Sequence, residues 1–340
     1  MDCSLMLDPG RRVFLKRTLS VGAASCVGLD CLPAAAEREL ETTKIRFVHS
    51  PALCLAPQYL AEELLRMEGF TDVEYVAVGT RNAPEALAEG RADLSMWTVP
   101  GLIPYVDAGL PLVMLAGVHS GCYELFGNDR VRAIRDLKGK TVAIYNYGQG
   151  DHILLSSMLA YVGIKPQEVK WITSESTLRD SMVLFAEGKA DAFFGFVPQP
   201  QELRAKKIGH VIVDTSKDRP WSQYFCCMVA ANSNFAQRYP IATKRVLRAI
   251  LIAADICAVD PQRAARYLAD KNYETRFGIG LDVLKSLSYT RWRETNPEDT
   301  IRFHALRLHE VGMIKSRPEK LIAQGTDWRF LNELKNELKA

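Results

Sequence analysis

Residues 184–195 read LFAEGKADAFFG and residues 86–97 read ALAEGRADLSMW; inside the shared core only Lys189 replaces Arg91. Six residues recur by chance in a chain containing this much alanine and glycine, so the weight falls on their surroundings. Those repeat too. Residues 44–48 (KIRFV) and 141–145 (TVAIY) are strand candidates, each followed by a loop and a helical pattern. The apolar positions are Tyr59, Leu60, Leu64, Leu65 and Met67 in one copy, and Ile153, Leu154, Met158, Leu159 and Val162 in the other. Each helix stops at a glycine, Gly69 or Gly163, where a left-handed residue is least strained. VEYV (73–76) then matches VKWI (169–172), and a second helix leads into the twin phrase, whose Gly90 and Gly188 mark helix ends. Residues 92–97 and 190–196 read as buried strands. The unit is β-α-β-α-β, written twice.

Strands alternating with helices imply parallel sheets, whose ligands sit beyond the carboxyl ends of the strands. The expected fold class is α/β, with two lobes and a ligand cleft between them. WSQYFCCMVAA (221–231) reads as a strand returning from the second lobe. Helical patterns over 241–259, 262–271, 297–311 and 328–339 are expected to cover the first. Lobe one is therefore expected at residues 37–132 and 230–340 and lobe two at 133–229, with linkers near 128–138 and 225–230. Two crossings make a hinge rather than a tether.

The chain has 340 residues and a formal net charge of +3, a balance that points to no nucleic-acid partner. Its start reads as an export signal over residues 1–36. Arg11-Arg12 form a twin-arginine region, with Gly10 where Ser or Thr is usual; a short apolar stretch follows, then Ala34-Ala35-Ala36. Cleavage is expected after Ala36, and residues 23–26 make a poor lipidation site at Cys26. No apolar run is long enough to span a bilayer. A soluble, monomeric periplasmic protein is expected.

Beyond the signal the cysteines are Cys54, Cys122, Cys226, Cys227 and Cys257. An odd number without CxxC pairing predicts neither a disulfide scaffold nor a metal site. Adjacent Cys226 and Cys227 are expected to face opposite sides of a strand. No cofactor-binding motif is present.

With its export signal, two α/β lobes and the phrases AEGRAD and AEGKADAFFGF, the chain resembles periplasmic solute-binding proteins of ABC importers, of the nitrate/sulfonate/bicarbonate (NMT1-like) group. The resemblance covers roughly residues 44–315. It implies the type II periplasmic-binding-protein fold, a small-molecule ligand, an ABC permease in the inner membrane as partner, and no catalysis.

Candidate ligand-binding residues lie on the strand-to-helix loops. Helix starts there favour an anion. Gln149 and His152 in the glycine-bearing loop 148–152, with Asn146 and Tyr147 beside them, are hydrogen-bond or wall candidates. Arg81 suits a sulfonate or carboxylate. Trp97, Phe194 and Phe196 are candidate apolar walls, and one of the two phenylalanines is expected to face the core. His49 follows a strand, and Glu124 either reads a cation or pairs with an arginine. Asn82 and Glu85 read as a helix cap and its partner. His304 and His309, five apart, read as surface residues. An organic anion with an apolar or aromatic portion is the preferred ligand.

Two other roles use the same lobes. Sulfinate desulfinases resemble this fold and carry a nucleophilic cysteine after the first strand, where this chain has Cys54. An exported receptor or sensor subunit is the other. Thiamine-pyrimidine synthases, with a cysteine-rich iron motif, fit less well, because Cys226-Cys227 stand alone.

Overall fold

A computed structural model describes residues 39–338 apart from 51, 79–81 and 175–177. The export-signal reading, Cys26 and Arg81 fall outside the described residues. In chain order, β1 (Lys44–Val48), α1 (Ala56–Met67), β2 (Asp72–Val76), α2 (Ala83–Ala88) and β3 (Leu94–Thr98) form the first copy of the repeat. Next come α3 (Val99–Asp107), β4 (Leu112–Ser120) and β5 (Tyr123–Gly127). The second copy is β6 (Thr141–Ile144), α4 (Gly150–Tyr161), β7 (Lys170–Thr173), α5 (Leu178–Ala186) and β8 (Ala192–Phe196). It continues through α6 (Gln199–Lys206), β9 (His210–Asp214) and β10 (Phe225–Asn232). The remainder is helical: α7 (Ser233–Arg238), α8 (Pro240–Val259), α9 (Pro261–Asp270), α10 (Phe277–Ser286), α11 (Pro297–Glu310), α12 (Pro318–Gly325) and α13 (Arg329–Glu337).

The strands make two five-stranded sheets, β2-β1-β3-β10-β4 and β7-β6-β8-β5-β9. In each, three adjacent strands pair in parallel, the fourth position is filled by an antiparallel strand, β10 or β5, and the edge strand beyond it, β4 or β9, again runs with the first three. The duplication thus extends to strand order. The expected linkers move, because Tyr123–Gly127 belongs to the second sheet and Phe225–Val229 to the first. The chain crosses at residues 121–122, and again between β9 and β10.

The twin phrase earns its recurrence by the same local device in both sheets. Gly90 and Gly188 take φ of 69° and 74°. Arg91 N then donates to Ala86 O and Lys189 N to Leu184 O, both at 2.9 Å, closing each helix with a Schellman bond. The aspartate that follows clasps the neighbouring parallel strand. Asp93 Oδ2 accepts from Arg46 N at 2.8 Å, and Asp191 Oδ2 accepts from Thr141 N at 3.0 Å. Each carboxylate also holds an arginine, Arg46 or Arg130.

The largest apolar cluster spans both sheets, from Phe47 and Leu94 through Tyr123 and Leu125 to Ile144 and Phe194. Helix α8 packs on α1, and α13 on α8 and β4, so these C-terminal helices cover the first sheet as expected. Helix α11 differs, since it touches both α3 and α4. His304 is accordingly buried rather than on the surface, hydrogen-bonding Ser157 Oγ at 3.0 Å, and burial lowers its imidazole to about 3. His309 is exposed, as read. Helices α3 and α10 escape the periodicity reading. Pro104 lies inside α3, and Gly278 and Gly280 lie inside α10. Among the described residues no helix is long and apolar enough to cross a membrane.

Candidate functional site

A cavity of about 80 Å³ lies at the carboxyl ends of the parallel strands. Three helices begin on it. The residues preceding α1, α3 and α4 are Leu55, Thr98 and Gln149; all three line the cavity, and none caps its helix with a side-chain hydrogen bond. Elsewhere α2, α7, α9 and α11 are capped by Asn82, Asn232, Asp260 and Asn296. Leucine and glutamine are poor caps. Thr98 is a good one, yet its Oγ1 is buried with no hydrogen-bond partner. The walls are aromatic: Trp97 and Phe196, with Tyr123 and Tyr145.

Asp151, also on the cavity, serves the start of α4 itself. Its Oδ2 accepts from Tyr145 N at 2.5 Å. Burial raises its carboxyl to about 6, against backbone N–H bonds that favour the charged form. Because the folded value lies above the unfolded 3.8, the unfolded chain ionises first as pH rises. Stability is then lost between pH 3.8 and about 6, by about 3 kcal/mol in total, and is level above. Urea melts of Asp151→Asn across that window should be flatter than wild type; an unchanged slope contradicts this assignment.

Of the expected site residues, Cys54, Trp97, Gln149 and Phe196 line the cavity. His49, Glu124, Asn146, Tyr147, His152 and Phe194 do not. Gly148, at φ 73°, turns its loop outward, leaving Asn146 and Tyr147 exposed. His152 sits between the rings of Tyr147 and Trp171, where burial lowers its imidazole to about 4. His49 is exposed beside Tyr59 and Tyr273. Glu124 is buried and paired with Arg204, the second of its two expected roles. Phe194 is the core-facing phenylalanine, stacked on Tyr123 with centroids 5.1 Å apart. Asn82 caps α2 as expected, accepting from Glu85 N at 3.1 Å.

The sequence reading missed Cys122, Tyr123 and Cys227, which lie on the first crossing, at the start of β5 and near the start of β10. Cys226 and Cys227 do not pack apart as expected: a register irregularity in β10 at this point brings their sulfurs within 3.9 Å. Cys122 Sγ lies 2.7 Å from Cys226 Sγ. One ligand atom from each of Cys54, His119, Cys122 and Cys227 falls within 4.8 Å of the others, against the expectation of no metal-ligand cluster. The neighbouring Cys122 and Cys227 sulfurs hold the Cys54 thiol well below its ordinary value.

A larger groove of about 810 Å³ runs past Lys44, Arg46 and Arg91. It lies at the amino end of β1, the wrong end for a ligand of a parallel sheet.

The NMT1/THI5 like family profile matches residues 59–264. No curated protein matches the chain in sequence. Among solved structures, the periplasmic nitrate-binding protein NrtA from Synechocystis PCC 6803 is 15% identical, with a TM-score of 0.71, covering 89% of this chain and 90% of its own. The alkanesulfonate-binding protein SsuA from Xanthomonas axonopodis pv. citri, bound to MOPS, is 17% identical, with a TM-score of 0.68, covering 85% and 100%. The desulfurization enzyme DSZB is 14% identical, with a TM-score of 0.59, covering 87% and 99%. At these identities the likeness is one of fold, the two-lobed α/β architecture of periplasmic binding proteins. The match over more than half its length makes the chain a member of the NMT1/THI5-like family.

Proposed function

We propose that the chain is a periplasmic solute-binding protein that delivers a small organic anion, of sulfonate or carboxylate type, to an ABC permease of the inner membrane. The observation that carries this is the meeting on one cavity of three helix starts whose N-cap residues make no side-chain hydrogen bond. The positive ends of three helix dipoles converge there, beside the unpartnered Thr98 hydroxyl. Nitrate and alkanesulfonates, named for the two binding-protein relatives, are anions of this kind. The aromatic walls suit the organic portion. The cavity is small enough to receive a head group, and a larger solute enters by opening about the two crossings.

Thermal shifts with sulfonates, carboxylates, pyrimidines and inorganic anions test the reading. An anion at a hundred times its Kd should raise Tm by roughly 5 °C. Response only to sugars or cations rejects the anion. Ionised Asp151 repels an anion, so affinity should also weaken as pH rises through about 6.

A second reading has one observation in its favour: Cys54 lines the cavity with a lowered thiol value, as a nucleophile requires. Incubating aryl sulfinates with the protein and with Cys54→Ser, then assaying sulfite, decides it. Equal background release from both discards catalysis.

A further inference from the structure

We propose that Cys54, His119, Cys122 and Cys227 form a binding site for a soft, thiolate-preferring metal ion of the zinc type at the floor of the cleft cavity. Three sulfurs and one imidazole are a Cys₃His donor set, and all four ligand atoms lie within 4.8 Å of one another. In a tetrahedral site with Zn–S near 2.3 Å, sulfurs stand about 3.8 Å apart. Closing from the present spacing to that one takes about 1 Å or less per pair, within reach of rotamer adjustment.

Three further observations point the same way. The first is His119. Its ring is fully buried, and Nδ1 faces Gly121 O at 3.0 Å, where it donates. That fixes the tautomer with a lone pair on Nε2, and Nε2 is buried with no hydrogen-bond partner. A metal-ligating histidine is oriented in this manner, one nitrogen tied to a carbonyl and the other left to the ion. The second is Cys122, which holds φ at 149°, a conformation ordinarily left to glycine. The preceding Gly121 has φ 71°, and a Cβ there would come within 2.5 Å of Ser216 Cα, so the turn that sets His119 and Cys122 side by side is fixed by contact. The third is Cys226. It is not one of the four, but its sulfur touches Cys122 at 2.7 Å and Cys227 at 3.9 Å, so it can hydrogen-bond to the ligand sulfurs and help orient them.

The donors come from the loop after β1, from the β4–β5 crossing and from the returning strand β10. Cys54, Cys122 and Cys227 also line the cavity. An ion held there ties the first-strand loop to both crossings and so braces the floor about which the lobes open. Thiolate donors exclude magnesium and calcium, which take oxygen. A ligated Cys54 is not free to act as a nucleophile. The site adjoins the proposed solute cavity, but its test involves no bound anion, so the two readings fail separately.

Titrating Co(II) into the reduced full-length chain under anaerobic conditions tests it. One equivalent should produce an intense thiolate-to-cobalt charge-transfer band with tetrahedral visible bands, and zinc should bleach both. His119→Ala and Cys227→Ser should each weaken binding roughly 100-fold or more, while Cys257→Ser, at a cysteine outside the cluster, binds as wild type. If a variant fails to fold, X-ray absorption of the wild-type zinc form should read three sulfurs and one nitrogen. The proposal is overturned by a fully reduced chain that gives no such spectrum. It is equally overturned by unaltered affinity in both variants, by an oxygen-dominated shell, or by isolation with Cys122 and Cys226 already joined as a disulfide.

Discussion

Asp93→Ala should lower folding stability by about 3 kcal/mol. The side chain is 6% exposed and accepts three bonds from one residue, from Arg46 N at 2.8 Å, Nε at 3.1 Å and Nη2 at 2.6 Å. Alanine leaves the β1 amide without its carboxylate partner and a part-buried guanidinium uncompensated. Asp191→Ala should cost less, about 2 kcal/mol, because its arginine, Arg130, is 68% exposed and better served by water. Asp93→Asn, which keeps one acceptor, should fall between wild type and alanine. Urea unfolding at constant slope measures all three. A loss under about 1 kcal/mol for Asp93→Ala would mean that the repeated phrase is not a strand clasp.

Gly150→Leu should weaken solute binding about 100-fold, close to 3 kcal/mol. Gly150 begins α4, at the end of the second sheet, and Thr98 precedes α3, at the end of the first. A Cβ on Gly150 would sit 2.3 Å from Thr98 Cγ2 and 3.2 Å from Tyr123 OH. At 2.3 Å the Thr98 side chain or the start of α4 must shift, so even Gly150→Ala disturbs this junction and leucine wedges it open. The change removes no buried side chain and no ion pair, so the fall in Tm should be smaller than for Asp93→Ala. Calorimetric titration with the best anion of the panel measures the effect. Affinity within a few-fold of wild type would place the solute elsewhere.

The two copies of the repeat were legible because each rests on local signals, 3.6-residue periodicity and glycine stops such as Gly69 and Gly163. What the twin aspartates do was not legible, since Asp93 and Asp191 act on strands some fifty residues away. Membership of β5 and β10 was misjudged for the same reason: an antiparallel partner in a remote part of the chain leaves no periodic trace. Loop position identified Cys54, Trp97, Gln149 and Phe196. It misplaced Asn146 and Tyr147, because the turn at Gly148 decides which way that loop faces. The sulfur cluster has no sequence spacing at all. Its members lie at 54, 119, 122 and 227, and the irregularity that puts Cys226 beside Cys227 breaks the alternation a strand otherwise predicts.

Three helix starts that converge on one cavity should hold an anion there. The most direct measurement is the structure of the chain crystallised with the anion that gives the largest thermal shift. The charged head group should lie inside the cavity, within hydrogen-bond distance of the Thr98 hydroxyl and of backbone N–H groups at the starts of α1 and α3. Density for the anion in the groove beside Lys44 and Arg46, with the cavity unchanged, would contradict it.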